Sequence, residues 1–226
     1  REISERGVQS VFDRIKADAY DSIKHTALVE KVKSFESAPA FQSIEKAGSH
    51  FIIPGDAQWP LRVEELECPP IGLIVKGNVE TLSNPSLAIV GTRNPTPYGT
   101  RIAGDFAAGF VDREWDIVSG GAYGVDTAAH RGALVAEGRT IAVIASGIDT
   151  PYPSGNSRLF DEICENGAII SEVVPGVPAL PHRFLTRNRI IAALSQRTLV
   201  VEAAFSSGSL RTARDAAQLL RPVMAI

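Results

Sequence analysis

The chain has 226 residues, 44% of them hydrophobic, and a formal net charge of −3. That length and apolar content suffice for a packed domain and exclude disorder, and the slightly acidic balance excludes a globally basic nucleic-acid binder. No apolar run approaches the ~18 residues of a membrane span and no basic-then-apolar leader opens the chain, so the expectation is a cytoplasmic protein without membrane contact.

Charge is unevenly spread. Residues 1–85 carry 10 basic and 13 acidic side chains, residues 86–226 carry 13 of each, and after Lys76 every cation is an arginine. Arginine's planar fork suits phosphate and stacks on bases, so a local cationic patch is compatible with a neutral domain. Cys68 and Cys164 are isolated, without the spacing of a disulfide framework or a thiolate zinc site.

In chain order, residues 1–50 read as a helical segment, because VQSVFDRI and ALVEKVKSF place apolar residues three and four apart; Ala38-Pro39 is expected to interrupt the second stretch. Residues 51–85 read as a proline-rich joint with two short β runs, Phe51–Ile53 and Gly72–Lys76, the latter an edge strand. Asn84-Pro85 opens the main segment, 86–226. There SLAIVG (Ser86–Gly91) is an unbroken apolar run closed by glycine, as in a buried parallel strand. Pro95 and Pro97 forbid a helix through them, and a helix follows with Ile102, Phe106, Ala107 and Phe110 on one face. WDIVSGG (Trp115–Gly121) is the next strand, and AYGVDTAAHRGALVAEG a glycine turn opening a second helix. Further strands are expected at Arg139–Ser146, Gly167–Glu172, Arg197–Ala203 and the terminal PVMAI. Helices are expected between them, at 156–165, from about His182, and over SSGSLRTARDAAQLL. Strict β/α alternation predicts a Rossmann-like α/β fold, a doubly wound and mostly parallel sheet with a small N-terminal helical extension.

In such a sheet, ligands sit at the carboxyl ends of the strands. There is no P-loop, no GxGxxG after the first strand and no GxSxG elbow. Gly120-Gly121-Ala-Tyr-Gly124 is a partial match whose closely spaced glycines let amides approach a phosphate at a helix N-terminus; the alternative is a tight turn with Asp126 complementing the helix dipole. Ser207, Gly208 and Ser209 form a similar turn later. His130 stands one helical turn after Asp126 and is expected to make a structural hydrogen bond. His25, His50 and His182 have no metal-ligand spacing. Glu172 and Glu202 end strands at the ligand edge, as bases or as partners for Arg187 and Arg189. These two arginines diverge by about 200° on a helix, so Arg187, nearer the proline-rich loop, is expected to face the ligand and Arg189 to hold structure. No nucleophile declares itself, no cofactor or metal is expected, and the reading favours a binder over an enzyme.

Several motifs then carry a family resemblance: IVGTR (Ile89–Arg93), SGGAYGVDTAAHRGAL (Ser119–Leu134), TIAVIASGID with the following YP and Asn156, Ser171-Glu172, RNRII (Arg187–Ile191) and VVEAAFSSGSLRTA (Val200–Ala213). Together, over roughly residues 50–226, the chain resembles the DNA-processing protein A (DprA/Smf) family. The resemblance implies a homodimeric protein that binds single-stranded DNA without strong sequence preference and helps load RecA in recombination and natural transformation. In many members a SAM-like helical segment comes first. Transferred to this chain, the resemblance implies a pocket of Arg93, the Ser119–Gly120–Gly121 backbone and the cationic Arg187 and Arg189. Together with the reading of the strand ends, the expected contacts are Gly91, Thr92, Arg93, Ser119, Gly120, Gly121, Tyr123, Arg187, Asn188, Ser207, Gly208 and Ser209, with Asp126, His130, Glu172, Arg189 and Glu202 as structural support. Tyr123 stands in this pattern where a cation would be, which points to base stacking there. Two alternatives share the fold. A nucleoside monophosphate phosphoribohydrolase would carry PGGxGTxxE, and SGGAYGVDTAAH lacks its glutamate. A nucleotide-binding sensor could hold a ribose through Asp149.

Overall fold

The computed structural model describes residues 8–17, 30, 34, 36–205 and 207–226. In chain order its elements are helices α1 (Val8–Lys16) and α2 (Ser37–Lys46), strands β1 (His50–Ile52), β2 (Leu73–Gly77) and β3 (Ser86–Gly91), α3 (Pro97–Val111), β4 (Asp116–Ser119), α4 (Val125–Val135), β5 (Thr140–Ile144), α5 (Ser157–Asn166), β6 (Ala168–Ser171), α6 (Pro181–Leu194), β7 (Arg197–Val201), α7 (Gly208–Gln218) and β8 (Val223–Ala225). Residues 1–42 and 43–226 form two separate compact units. Of the front segment, VQSVFDRI forms α1, whereas ALVEKVKSF falls almost wholly outside the described residues. Whether Ala38-Pro39 ends that stretch also lies outside the described residues; Pro39 itself lies in the first turn of α2, where its missing N–H has no intrahelical acceptor.

All eight strands join one sheet in the order β1-β2-β6-β5-β4-β3-β7-β8. The six strands from β3 onward pair in parallel, while β1 and β2 add an antiparallel margin on β6. The second β run is thus an interior strand, and β1 takes the edge. From β3 the chain steps through β4, β5 and β6, then returns to the other side of β3 as β7 and β8. A right-handed crossover that reverses its direction of travel must lay its helices on the opposite face. Accordingly α3, α4 and α5 cover one face, against Leu87, Ile89, Ile117, Ala142 and Ile144, and α6 and α7 cover the other, against Ala88, Val90, Val118 and Val143. Alternate residues of β3 enter opposite cores, which is why its sequence is an apolar run rather than an alternation.

Local chemistry fixes the ends of these elements. Thr96 caps α3 by accepting from the Gly99 amide at 3.1 Å, and Pro97 occupies the first helical position, so the proline that forbids a helix through the turn begins the next one. At the far end of α6 the last carbonyls have no helical partners, and two arginines from distant segments take them. Arg62 donates to Leu194 O at 2.9 Å and Asn84 O at 2.7 Å. Arg221 donates to Ala192 O at 2.8 Å, to Ala193 O, to Ser195 O at 2.7 Å, and pairs with Glu65 at 2.9 Å. Burial, and then the neighbouring Arg221, push the Arg62 guanidinium below its usual value. This clamp joins the segment before β2 and the strand after α7 to one helix end. No helix among the described residues is long and apolar enough to cross a membrane.

The Arg221 side chain is only 9% exposed, so truncation leaves several buried carbonyls without a donor. Arg221→Ala is expected to destabilise residues 43–226 by about 3 kcal/mol in urea titrations monitored by circular dichroism; a loss below ~0.5 kcal/mol would show that water replaces the clamp.

Candidate functional site

The direction of travel reverses between β3 and β7, and the loops leaving their carboxyl ends diverge to opposite faces. A cavity of about 660 Å³ opens there, lined among others by Gly91, Thr92, Arg93, Ala122, Asp126, Tyr152, Phe184, Arg187, Asn188, Ser207, Gly208 and Ser209. A switch point of this kind leaves a crevice because neither crossover covers it.

One rim is aromatic and cationic. The exposed Arg93 guanidinium lies 5.3 Å from the centroid of Phe184, and Tyr152 meets Phe184 edge-on at 5.8 Å. Tyr152 is half exposed. Across the cavity, α7 begins at Ser207 with no side-chain cap on its amides, since the Ser207 and Ser209 hydroxyls bond each other at 2.8 Å. The amino end of α6 likewise has no side-chain cap, and Pro181 and Phe184 of its first turn line the cavity. Two uncapped helix N-termini and Arg93 make the opening attractive to anions.

The floor is built differently from the sequence expectation. Arg187 is the seventh residue of a helix that already starts at Pro181, and its side chain is buried, with 7% exposure. One nitrogen donates to Gly120 O at 2.7 Å and to Val143 O. Burial lowers this guanidinium to about 10, with nearby Asp126 raising it and Arg93 lowering it further. Arg187 therefore lines the cavity from beneath and supplies positive potential there, buried rather than exposed at the rim as the sequence led one to expect. Arg189 holds Glu172 at 2.5 and 2.7 Å.

The glycine turn is also occupied from within. Asp126 accepts from the Ala122 amide at 3.2 Å, and the Gly120 amide and Arg187 also stabilise its charge against burial, which on balance raises its pKa. A Cβ on Gly120 would fall between the Arg187 guanidinium and the Asp126 carboxylate, so glycine is required there for space. The turn's amides thus meet the chain's own carboxylate in place of a phosphate. Gly121 faces away from the cavity: its carbonyl accepts from Asn156 at 3.0 Å, and its φ of +73° is that of glycine. Ser119 donates to Ile89 O at 2.6 Å. Of the predicted Ser119–Gly121 lining, the structure brings only the adjoining Ala122 and Asp126 to the cavity.

The remaining predicted residues hold structure at the margins. Asn188 donates to Gly208 O at 3.0 Å, joining α6 to the start of α7. Glu202, at φ +49°, holds no arginine among the described residues; it accepts from the Thr96 hydroxyl and from the Thr96 amide at 2.7 Å, which lower its pKa. His130 does not pair with Asp126: its Nδ1 lies 2.7 Å from Thr140 Oγ1. Burial, and then Arg187, hold the imidazole down at about 3, so it is neutral. Asp149 accepts from the Gly176 amide at 2.9 and 3.0 Å and is not among the cavity's lining residues. Sequence reasoning missed Tyr152 and Phe184. Their signal was available, as aromatic residues inside proline-rich stretches that cannot bury them in regular structure.

Residues 50–226 match the model of the family described as DNA recombination-mediator protein A. The chain is 40% identical over 180 residues to protein Smf of Escherichia coli, covering 79% of this chain and 48% of that protein. Among solved structures, DNA processing protein A of Streptococcus pneumoniae superposes with a TM-score of 0.81 at 37% identity, over 87% of this chain and 68% of that one. DNA processing protein A of Helicobacter pylori, solved for its single-stranded DNA binding mode, gives 0.72 at 32% identity, over 79% and 81%. The chain spans about half the length of the first curated relatives it matches.

Arg187→Ala is expected to cost about 3 kcal/mol of stability, because it leaves the buried Asp126 without its cation. An unchanged melting temperature would refute the structural role. His130 gives a pH signature. A folded value of about 3, against 6.5 for the free side chain, means that its contribution is complete above pH 6.5 and is lost as pH falls toward 3. Between pH 7 and 5 this amounts to about 2 kcal/mol, and His130→Asn should remove that part of the pH dependence in paired urea titrations.

Proposed function

We propose that this chain, which belongs to the family of DNA recombination-mediator protein A, binds single-stranded DNA in the cavity between β3 and β7. The observation that carries the reading is the rim: a guanidinium stacked on Phe184, with Tyr152 against the same ring, facing the uncapped start of α7. Bases stack on the two aromatic rings, and phosphates meet Arg93 and the amides of Gly208 and Ser209. A duplex presents its phosphates but not its base faces, so the rim favours single strands.

Little sequence preference is expected. Asn188, the side chain best suited to reading a base edge, is tied to Gly208 O, and the Ser207 and Ser209 hydroxyls bond each other. The chain is read as a binder rather than an enzyme, because the buried ionisable groups at the cavity, Asp126 and Arg187, hold the turn together instead of standing free for proton transfer. Delivery of the bound strand to RecA in recombination and natural transformation, by a homodimer, is the part of the proposal that rests on family membership alone.

Fluorescence anisotropy with labelled single- and double-stranded oligonucleotides across a salt series tests the reading. Arg93→Ala should weaken single-strand binding and flatten the log–log salt slope by about 0.7, with an unchanged melting temperature, since Arg93 is exposed. Phe184→Ala should cost about tenfold through lost stacking. Equal affinity for duplex and single strand, or displacement of DNA by nucleoside monophosphate at stoichiometric levels, would favour the small-nucleotide alternative instead.

A further inference from the structure

Beyond the cavity, a second groove of about 370 Å³ runs between α4 and α5, lined by Arg131, Leu134, Val135, Gly155, Arg158, Leu159 and Glu162. Its two cations are not needed by the fold. Arg131 is exposed and makes no ion pair among the described residues. The Arg158 side chain is 93% exposed, and its only carboxylate contact among the described residues is Glu162, one helical turn along at 3.1 Å, a pair of the kind worth a few tenths of a kcal/mol. Against that single acid the groove is net positive. Val135, 85% exposed, gives the groove an apolar edge.

A rigid ridge separates groove from cavity. Asn156 donates to Gly121 O at 3.0 Å and to Thr127 Oγ1 at 2.9 Å, and Thr127 donates to Ala122 O at 2.8 Å, so the turn after β4 and the turn before α5 are locked together. Tyr123 stands on this ridge, 49% exposed. Its neighbour Ala122 lines the cavity, while its hydroxyl rests against Gly155, a residue of the groove, so closely that a Cβ at Gly155 would collide with it. On the other strand of the ridge, Tyr152 lines the cavity three residues before Gly155. An aromatic ring held half exposed on a locked ridge, with a cationic opening on each side, has the arrangement of a stacking platform along a polyanion.

We infer that the groove between α4 and α5 is a second contact for single-stranded DNA, reached when the strand leaves the cavity over Tyr123. A base stacks on Tyr123, Arg131 and Arg158 each hold a phosphate, and a further base lies on Leu134 and Val135. The inference rests on the proposed function of the cavity and extends it to strands longer than the cavity accommodates.

The test is an oligothymidylate series from about 4 to about 24 nucleotides, with the wild-type chain and the Arg131→Ala/Arg158→Ala double variant. Both side chains are exposed, so the variant folds normally by thermal melting. On the shortest strands, which occupy the cavity alone, the two proteins should bind alike. On the longest, the double variant should bind about tenfold more weakly, with a salt slope shallower by about 1.4, two phosphates at ~0.7 each. Tyr123→Ala should show the same length dependence without the change in slope. A double variant that matches the wild type at every length, while the wild type binds, overturns the groove and leaves the cavity standing. A wild-type chain that binds none of the strands overturns both.

Discussion

One buried guanidinium sets the geometry on which the candidate site depends. Arg187 projects from α6, on one face of the sheet, across the carboxyl edge to the carbonyls of Gly120 after β4 and Val143 in β5. Asp126 approaches the same turn from α4 on the opposite face. Side chains of the two helical layers thereby converge on one turn at the sheet's carboxyl edge. The charges compensate where both residues are more than nine-tenths buried, so that either ion alone would be costly. Gly120 lies between them because no side chain fits.

That arrangement explains why the cavity has its particular shape. With Arg187 and Asp126 closing the floor, the crevice at the switch point remains open only above them, between the first turn of α6, the start of α7 and the loop after β3. Glu202 contributes from the neighbouring strand end. By holding Thr96 it fixes the entrance to α3, and its backbone carbonyl accepts from the Thr92 amide at 2.8 Å, keeping the ends of β3 and β7 together beside Arg93. The polar groups around the opening thus belong to two sets, one neutralised within the protein and one directed outward.

The fold was legible because its signals are carried by the residues themselves. Strands buried on both faces must be apolar throughout, and Ser86–Gly91, Thr140–Ile144 and Arg197–Val201 announce themselves in that way. The site was legible as a location, at the carboxyl edge, but less so as a set of roles. Arg187 lines the cavity from a buried position that the sequence did not announce, because its acceptors are backbone carbonyls, which leave no mark in a sequence. The glycine turn has the composition of an anion site. What a sequence cannot rank is whether an external phosphate or Asp126, four residues on, reaches the amides first. Tyr152 comes from the loop after β5 and Phe184 from the first turn of α6, and only the fold brings them into contact.

The arginine-only composition after Lys76 has a similar double meaning. Arg139 pairs with the buried Asp116, Arg189 with Glu172, Arg211 with Asp215 and Arg221 with Glu65, while Arg187 and Arg221 also satisfy carbonyls deep in the structure. Arginine serves these positions because several donors in a fixed plane can satisfy several acceptors at once, which an ammonium on a flexible stem cannot do. Several of the basic residues that suggested a phosphate-binding surface are therefore committed to the protein's own oxygens. Affinity for a polyanion must then come from where the remaining cations stand, beside helix N-termini and aromatic rings, and not from the number of arginines alone. A net charge of −3 is then no obstacle to DNA binding, since the field that a strand meets is set by which charges remain unpaired at the carboxyl edge of the sheet.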